Sequence, residues 1–236
     1  MAHSKSDYAY TNLNASYKHY QDKQSNCDLL NDQVCDNSFD TKSSVNFERK
    51  GLHIANLNVQ HLFPKFDEIK CTLLSDDCNV DVFGFCETFL NDSMSDLNLN
   101  IGDFSYVRRD RRNKKGGGIL VYIAKHVPFK HRPDLECSEI ESICIEICYK
   151  QSKPFILTFV YRPPNSRPSW INIFDAQVKT IEALNTEFHI LGDFNFKYFP
   201  DKMTFDSNTW SKLILKHGLV QVIKQPTRVT EKTSSI

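Results

Sequence analysis

Residues 52–88 read LHIANLNVQHLFPKFDEIKCTLLSDDCNVDVFGFCET, and this stretch decides the fold. Its first and last apolar runs, LHIANLNV and VDVFGFCET, have the composition of β-strands. Between them Phe66, Ile69 and Leu73 recur at helical spacing. The second run is apolar on both faces and must be covered on both sides, so a helix between two such strands indicates a parallel crossover.

The elements that follow extend this unit into a mixed sheet architecture. FSYVRRD and GGGILVYIAKHV predict a β-hairpin with a long loop, and SICIEICYK and PFILTFVYRPP predict an antiparallel pair. SWINIFDAQVKTIEAL has the spacing of an amphipathic helix, and EFHILGDFN that of a short buried strand. A second helix is predicted near residues 208–217, followed by the short segment LVQVIKQ. With no repeat and no composition break after residue 50, residues 49–236 are predicted to form one α/β domain with helices outside the sheets.

Residues 1–48 differ from the rest of the chain. They are rich in Asn, Ser, Asp, Lys and Tyr and keep neither a helical nor a strand period for long. We therefore predict a disordered or weakly ordered N-terminal leader. The sequence contains no signal peptide and no apolar run near the roughly 20 residues of a membrane span, so we expect a protein that is neither secreted nor inserted in a membrane.

Composition and charge exclude several classes of protein. Hydrophobic residues make up 40% and charged residues 25%, which excludes collagen-like, coiled-coil and wholly disordered chains. Lys+Arg and Asp+Glu are equal at 29 each, so any affinity for phosphates must be local. The eight cysteines form no Cys-x-x-Cys pair, which favours reduced thiols over a zinc site or a disulfide framework. We therefore expect an intracellular protein, in the nucleus or the cytoplasm, that acts as a monomer.

Polar residues interrupt the apolar strands at their carboxyl ends, where ligand sites lie in open α/β folds. Burying a carboxylate after an apolar strand is unfavourable unless it is paired, hydrogen-bonded or bound to a cation. Glu87 and Asp193 are both acids and cannot neutralise each other, whereas a hard cation such as Mg²⁺ would resolve the conflict. The strand ends therefore predict a metal-dependent phosphate site built from Asn58, Glu87, Tyr161, Asp193 and Asn195.

Each of these residues also has a simpler interpretation. Glu87 could cap a turn or pair with an arginine. Residues 192–195 could be an ordinary turn, since Asp and Asn bond their own backbone there. Tyr161 could be a half-buried strand residue with its hydroxyl in water. The functional interpretation depends on the joint placement of these residues at successive strand ends.

A strongly basic segment connects the two strands of the predicted hairpin. It carries six basic residues, followed directly by Gly116-Gly117-Gly118. The segment fits contact with nucleic-acid phosphates, or alternatively a solvated loop that keeps the protein soluble. The Gly-x-x-x-x-Gly-Lys-Ser/Thr pattern of a P-loop is absent from the sequence. The basic residues are Arg108, Arg109, Arg111, Arg112, Lys114 and Lys115.

The ordered motifs from about Gly51 to Ile236 resemble the endonuclease/exonuclease/phosphatase superfamily, and most closely the endonuclease domain of non-LTR retrotransposons. The pieces that carry the resemblance are IANLNVQHLFPKFDEI, VDVFGFCETFLNDS, YVRRDRRNKKGGGILVYI, FVYRPPNS, HILGDFNF and QPTRVTEKTSSI. The resemblance implies a four-layered α/β/β/α sandwich of the deoxyribonuclease I type. It also implies a Mg²⁺- or Mn²⁺-dependent phosphodiesterase, most simply a DNA endonuclease that nicks duplex DNA.

The resemblance also assigns roles to individual residues. Asn58 is similar to the asparagine that helps to hold metal and phosphate, and Glu87 to the metal-coordinating glutamate. Tyr161 is similar to the tyrosine that contacts the scissile phosphate, and Asp193 to the aspartate that positions or deprotonates the attacking water. Asn195 matches the neighbour that steadies the developing charge. By the same resemblance, Arg162 and the basic segment face DNA.

The resemblance departs from the family pattern at the end of the sequence. Family members carry further strands with an aspartate and a Ser-Asp-His motif, and this chain reaches Ile236 before either. We therefore expect a domain whose C-terminal strands are missing. Two alternatives stay open beside the endonuclease: an inactive remnant that at most binds nucleic acid, and a phosphoesterase of the same superfamily.

Overall fold

The computed structural model describes residues 8–12, 16–19, 51–76, 78–112, 115–196, 205–223, 228–229 and 234–235. Its longer helices are α1 (Phe66–Leu73), α2 (Trp170–Glu182) and α3 (Phe205–Lys216). Its strands are numbered along the chain as β1 (Tyr8–Asn12), β2 (Ser16–His19), β3 (Leu52–Asn58), β4 (Val82–Cys86), β5 (Phe104–Arg109), β6 (Ile119–Ala124), β7 (Phe129–His131), β8 (Glu141–Ile147), β9 (Phe155–Tyr161), β10 (Phe188–Asp193), β11 (Leu219–Gln221), β12 (Arg228–Val229) and β13 (Ser234–Ser235).

The first sheet has the order β1-β3-β4-β6-β5. Strands β3 and β4 are parallel and are joined through α1, which confirms the crossover predicted from residues 52–88. Strands β5 and β6 are antiparallel and form the predicted hairpin around loop 110–118. Every residue of β4 and β6 is buried, because these central strands are covered on both faces.

The second sheet has the order β11-β2-β10-β9-β8-β7. Strands β8 and β9 are antiparallel, as predicted, while β9 and β10 are parallel and are joined through α2. All seven residues of β9 are buried. Strand β7 was not predicted, since its three residues are half-buried or exposed and carry little apolar signal. Strands β12 and β13 form a separate two-stranded pair.

The two sheets face each other and the helices lie outside them. Phe85 of the first sheet and Phe159 of the second belong to one buried core, which also takes up the apolar side of α1. A second core lies between the second sheet and helices α2 and α3, with Phe174 and Trp210 among its members. The fold is therefore the four-layered α/β/β/α sandwich of the deoxyribonuclease I type that the sequence predicted.

The predicted leader contributes two strands to the described residues. Strand β1 pairs in parallel with β3, and β2 lies between β10 and β11 with antiparallel pairing to both. Neither strand was predicted, because residues 8–19 lack the apolar alternation that marks a half-buried strand. The rest of residues 1–48 lies outside the described residues, so the domain boundary at residue 49 stays a prediction. Among the described residues, no helix has the length and apolar character needed to cross a membrane.

Gly84 in β4 lies directly against Phe159 of the facing sheet. A Cβ atom at this position would come within 2.2 Å of Phe159 Cδ1 and 2.9 Å of Asn56 Oδ1. Phe159 is fully buried in the facing sheet and has no room to withdraw. A glycine at this position therefore permits the observed spacing of the two sheets.

We expect Gly84→Ala to lower the free energy of unfolding by about 1–3 kcal/mol, because the added methyl group overpacks the core. For a chain of this length, about 1 kcal/mol corresponds to a shift of roughly 2–4 °C in Tm. Thermal unfolding followed by circular dichroism measures the shift. Gly102→Ala is the matched control, since a Cβ at Gly102 meets no atom within 4 Å. Equal Tm values for the two variants would contradict this account of the sheet spacing.

Candidate active site

Polar side chains from both sheets meet at the carboxyl ends of four strands. Asn58 ends β3, Glu87 directly follows β4, Tyr161 ends β9 and Asp193 ends β10. Strands β3 and β10 contact each other across the two sheets, which brings the four ends together. We call these four residues and Asn195 the strand-end cluster. The structure thus brings together all five residues that the sequence predicted to form one site.

Asn58 lies between the two carboxylates of the strand-end cluster. Its Nδ2 atom donates to Glu87 Oε1 at 2.7 Å and to Asp193 Oδ2 at 2.8 Å. Its Oδ1 atom accepts a hydrogen bond from the backbone N–H of Gln60 at 3.1 Å, which fixes the orientation of the amide. One neutral amide therefore holds two negative groups within a few ångströms of each other.

Tyr161 completes the environment of Glu87. Its hydroxyl donates to Glu87 Oε1 at 2.9 Å, and the residue is only 4% exposed. Burial, reinforced by the negative charge of Glu87, raises the pKa of the Tyr161 phenol well above its ordinary value. The hydroxyl therefore stays protonated as a donor at neutral pH. The simpler interpretation of Tyr161, with its hydroxyl in water, does not describe this residue.

Glu87 itself has an unusual backbone conformation. Its φ angle is 56°, in the left-handed region that non-glycine residues rarely adopt. Such a conformation costs about 1–3 kcal/mol and persists where the surrounding structure enforces it, often at functional sites. Here the carbonyl of Glu87 accepts a hydrogen bond from the N–H of His61 at 2.8 Å. Glu87 forms no ion pair with an arginine among the described residues, so the alternative in which it pairs with an arginine does not describe this residue.

Asp193 and Asn195 lie on a turn, as the simpler interpretation predicted, and that turn also belongs to the cluster. Asp193 Oδ1 accepts from the backbone N–H of Asn195 at 3.0 Å. Asn195 has a φ angle of 49°, and its side-chain amide donates to the carbonyl of Arg162 at 2.8 Å. The turn and the site are therefore one feature, since the same hydrogen bonds shape the loop and orient Asp193.

Arg162 lies beneath this turn and not on the surface, in contrast to the prediction that it faces DNA. It is 6% exposed, and its guanidinium donates to the carbonyls of Phe194 and Asn195, each at 3.2 Å. The guanidinium carbon lies 4.2 Å from the ring centroid of Phe196 and 5.7 Å from that of Trp170. Arginine is weakly hydrated and stacks well on aromatic rings, which explains its burial in this position.

Several arginines of the basic segment also have internal partners. Arg108 pairs with Asp96 and Asp110, each at 3.0 Å. Arg109 donates to the carbonyls of Cys137 at 2.7 Å and Ser142 at 3.0 Å. These contacts attach the hairpin to neighbouring loops and strands, an arrangement that a run of charges in sequence does not reveal.

The remaining basic residues differ from one another. Arg111 donates through Nε to Glu141 Oε1 at 2.6 Å. Arg112 and Lys115 are exposed at the surface of the loop. Lys114 lies outside the described residues. Of the residues predicted to contact nucleic acid, Arg112 and Lys115 are therefore the two that the described structure leaves on the surface.

Glu141 is a site neighbour that sequence reasoning missed. It is the first residue of β8 and lies directly opposite Tyr161 in the antiparallel register with β9. Besides Arg111 it binds the backbone N–H of Gly118, through Oε2 at 2.7 Å. The sequence placed Glu141 near the start of the predicted strand pair. Its position opposite Tyr161 follows only once the register between β8 and β9 is known.

The donor set of the cluster fits a hard divalent cation. Within the described residues no group of three or more His, Cys, Asp and Glu side chains could hold a metal ion. Mg²⁺, however, is typically bound by one or two carboxylates and is completed by water and substrate phosphate. Glu87 and Asp193 offer two carboxylates held apart by one amide, and a cation would offset their mutual repulsion.

Comparison with known proteins identifies relatives of this fold. The model of the endonuclease/exonuclease/phosphatase family matches residues 38–212. No curated protein matches the chain significantly. Among solved structures, the endonuclease domain of TRAS1, a telomere-specific non-LTR retrotransposon, is similar with a TM-score of 0.57 and 11% identity, covering 77% of this chain and 79% of that one.

Two further structures are similar to this chain. The AP endonuclease LMAP from Leishmania major has a TM-score of 0.53 and 16% identity, covering 69% of this chain and 65% of that one. The Xenopus laevis APE2 catalytic domain has a TM-score of 0.51 and 15% identity, covering 69% of this chain and 66% of that one. At these identities the similarities establish the fold alone.

The buried phenol of Tyr161 predicts a loss of stability at alkaline pH. Because its pKa is raised in the folded state, its stabilising contribution is complete below the unfolded value of about 10 and is lost as the pH rises above it. We expect Tm to fall above about pH 10, and to fall less steeply in Tyr161→Phe. Burial also raises the pKa of Tyr122, so some slope persists in the variant.

Thermal melts across an alkaline pH series measure both slopes. Tyr149→Phe is the control, because Tyr149 is 37% exposed and lies away from the cluster. The assignment is wrong if Tyr161→Phe and the unmodified protein show the same slope.

The position of Arg162 gives a second prediction for this site. We expect Arg162→Met to lower the free energy of unfolding by about 1–3 kcal/mol, because two carbonyl acceptors beneath the turn lose their donor. Arg167→Met, at an exposed arginine of the same segment, is expected to change stability by less than about 0.5 kcal/mol. Chemical denaturation measures both. If the two variants are equally stable, Arg162 does not support the turn.

Proposed function

Because the chain belongs to the endonuclease/exonuclease/phosphatase family, we propose that it is a metal-dependent phosphodiesterase that nicks DNA, from a retrotransposon-derived protein. The observation that carries the proposal is the convergence of two carboxylates, an amide and a phenol at the strand ends of both sheets. The similarity to the TRAS1 endonuclease domain supports DNA as the substrate. We further propose that the chain acts as a monomer and that it works in the nucleus or the cytoplasm, a compartment that the free thiols of its described cysteines support.

In this proposal Glu87 and Asn58 are the residues that would hold Mg²⁺ or Mn²⁺. Such a cation, when bound, would supply the positive charge that stabilises the phosphoryl group during hydrolysis. Glu87 is suited to this role because Tyr161 and Asn58 both donate to its Oε1 atom and fix the carboxylate in place. Asn58 offers its Oδ1 atom on the other side of the same amide.

The other residues of the cluster act on the attacking water and on the phosphate. Asp193 accepts a proton from the attacking water as the water oxygen forms the new bond to phosphorus. The leaving oxygen takes a proton from solvent. Asn195 holds Asp193 in this orientation through its backbone N–H. When substrate binds, the Tyr161 hydroxyl, which stays protonated, turns its one proton from Glu87 to a phosphate oxygen, while Asn58 continues to hold the carboxylate. Arg112 and Lys115 bind the flanking DNA backbone.

The decisive experiment measures nicking of supercoiled plasmid by the purified 236-residue protein with Mg²⁺, Mn²⁺ or a chelator. We expect nicking that depends on the metal and falls by at least about 100-fold in Glu87→Gln. The change keeps the size of the side chain and removes its charge. Glu139→Gln is the matched control, because Glu139 is exposed in the loop before β8.

The same variants separate the endonuclease from the two alternatives. A folded protein that binds DNA with a steep salt dependence in all variants, without cleavage, is an inactive nucleic-acid-binding remnant. Competition between plasmid and a soluble inositol phosphate identifies a phosphoesterase, which would prefer the small substrate. Equal Mn²⁺ binding by Glu87→Gln and Glu139→Gln, measured by calorimetry, would remove Glu87 from the metal site.

A further inference from the structure

We propose that Arg111 binds the scissile phosphate and stabilises the charge that develops on its oxygens during hydrolysis. This inference rests on the proposed phosphodiesterase function. It gives Arg111 a role at the reacting group, separate from the contacts of Arg112 and Lys115 with flanking DNA.

Glu141, the first residue of β8, fixes the position of Arg111. The Nε atom of Arg111 donates to Glu141 Oε1 at 2.6 Å, while Glu141 Oε2 accepts from the N–H of Gly118 at 2.7 Å. Glu141 therefore connects the two ends of loop 110–118 and holds the guanidinium against β8. Because Glu141 lies opposite Tyr161 in the sheet register, the guanidinium is held on the side of the cluster.

The guanidinium of Arg111 lies beside the strand-end cluster without pairing to its acids. Its Cζ atom is 5.6 Å from the ring centroid of Tyr161, whose hydroxyl is 2.9 Å from Glu87 Oε1. Among the described residues, Glu141 is the acid that lies within ion-pair distance of Arg111. A positive group is thus placed next to the predicted phosphate position and is not neutralised by the metal-binding carboxylates.

Arg111 also has donors that the fold does not use. Its Nη2 atom is shielded from solvent and has no hydrogen-bond partner among the described residues. Leaving a charged donor unpaired and desolvated is unfavourable. A phosphate oxygen that reaches this nitrogen would satisfy it, since arginine N–H groups form strong charge-assisted hydrogen bonds to phosphate while Nε stays with Glu141.

Gly117 makes room for this arrangement. Its φ angle is 68°, and a Cβ atom at this position would lie 2.3 Å from Arg111 Cζ. Any other residue at 117 would be strained in backbone conformation and would displace the guanidinium. The glycine run after the basic segment thus serves the placement of Arg111 beside Tyr161.

The chemistry of the proposed reaction explains the use of such a group. The water oxygen forms a bond to phosphorus, its proton passes to Asp193, and the bond to the leaving oxygen breaks with its electron pair on that oxygen. Negative charge grows on the oxygens around phosphorus as this happens. A permanently charged arginine stabilises that charge without any proton transfer of its own.

Two measurements test the proposal. The first is plasmid nicking with Mg²⁺ by Arg111→Gln and Arg111→Lys. We expect kcat to fall by about 100-fold in Arg111→Gln with a smaller rise in KM, and kcat to fall less in Arg111→Lys, which keeps the charge and loses the planar fork. Lys125→Gln, an exposed residue at the opposite end of β6, is expected to match the unmodified protein.

The second measurement is the binding of inorganic phosphate, followed by ³¹P NMR in the presence of chelator. We expect Arg111→Gln to bind inorganic phosphate at least about 10-fold more weakly than the unmodified protein, and Lys125→Gln to bind it equally well. Circular dichroism verifies that each variant is folded. If Arg111→Gln does not fold, Arg111→Lys takes its place in both measurements.

The outcomes separate this inference from the proposed function. Nicking by Arg111→Gln and Arg111→Lys at the unmodified rate, with unchanged phosphate binding, would overturn the role of Arg111 and leave the endonuclease intact. An unmodified protein that binds phosphate through Arg111 but does not nick DNA would overturn the endonuclease and retain the phosphate contact. An increase in KM with unchanged kcat in Arg111→Gln would place Arg111 with the flanking-DNA contacts and contradict the proposal.

Discussion

A single amide holds the two sheets in register at the site. Asn58 belongs to the first sheet, and its Nδ2 atom bonds both to Glu87 at the end of the same sheet and to Asp193 at the end of the other. An amide nitrogen has two hydrogens, so it can serve two acceptors at once. Without that donor the two carboxylates would face each other with only repulsion between them. The separation of the strand ends therefore depends on this group as well as on the apolar packing beneath it.

Hydrogen bonds also constrain the backbone conformation around the cluster. Glu87 and Asn195 adopt left-handed conformations with φ angles of 56° and 49°. Each is held by a hydrogen bond from a neighbouring segment: His61 N–H to the Glu87 carbonyl at 2.8 Å, and the Asn195 amide to the Arg162 carbonyl at 2.8 Å. Conformations of this kind are unfavourable and are maintained where several contacts over-determine them. The fold thus gives up some stability to place Glu87 in the cluster and to shape the turn that orients Asp193.

The fold could be predicted from the sequence because its signals are local. Apolar runs that end in Asn58, Glu87, Tyr161 and Asp193 identify the strands and their direction together. Parallel crossovers then place those ends on one edge. The identity of the candidate site follows from the same pattern, since each polar residue interrupts an apolar run at the end of its strand.

The prediction did not extend to contacts set by tertiary structure. The resemblance implied that Arg162 faces DNA, but the rings of Trp170 and Phe196 lie against its guanidinium and the residue is buried. The partners of Arg108 and Arg109 come from other loops and strands and cannot be identified from the order of residues. Strands β1 and β2 have too little apolar periodicity to be recognised, and their pairing depends on edges that β3 and β10 provide.

Both tryptophans of the protein lie in the aromatic cluster beneath the turn. Trp170 and Trp210, the only two tryptophans in the sequence, both stack on Phe174, at ring distances of 5.0 and 5.7 Å. Trp210 also lies 4.8 Å from Phe194 and 4.5 Å from Phe196, on the segment that carries Asp193 and Asn195. The tryptophan fluorescence of the protein therefore originates in the rings packed against this turn, and its spectrum serves as a label-free optical reporter of how the turn is packed.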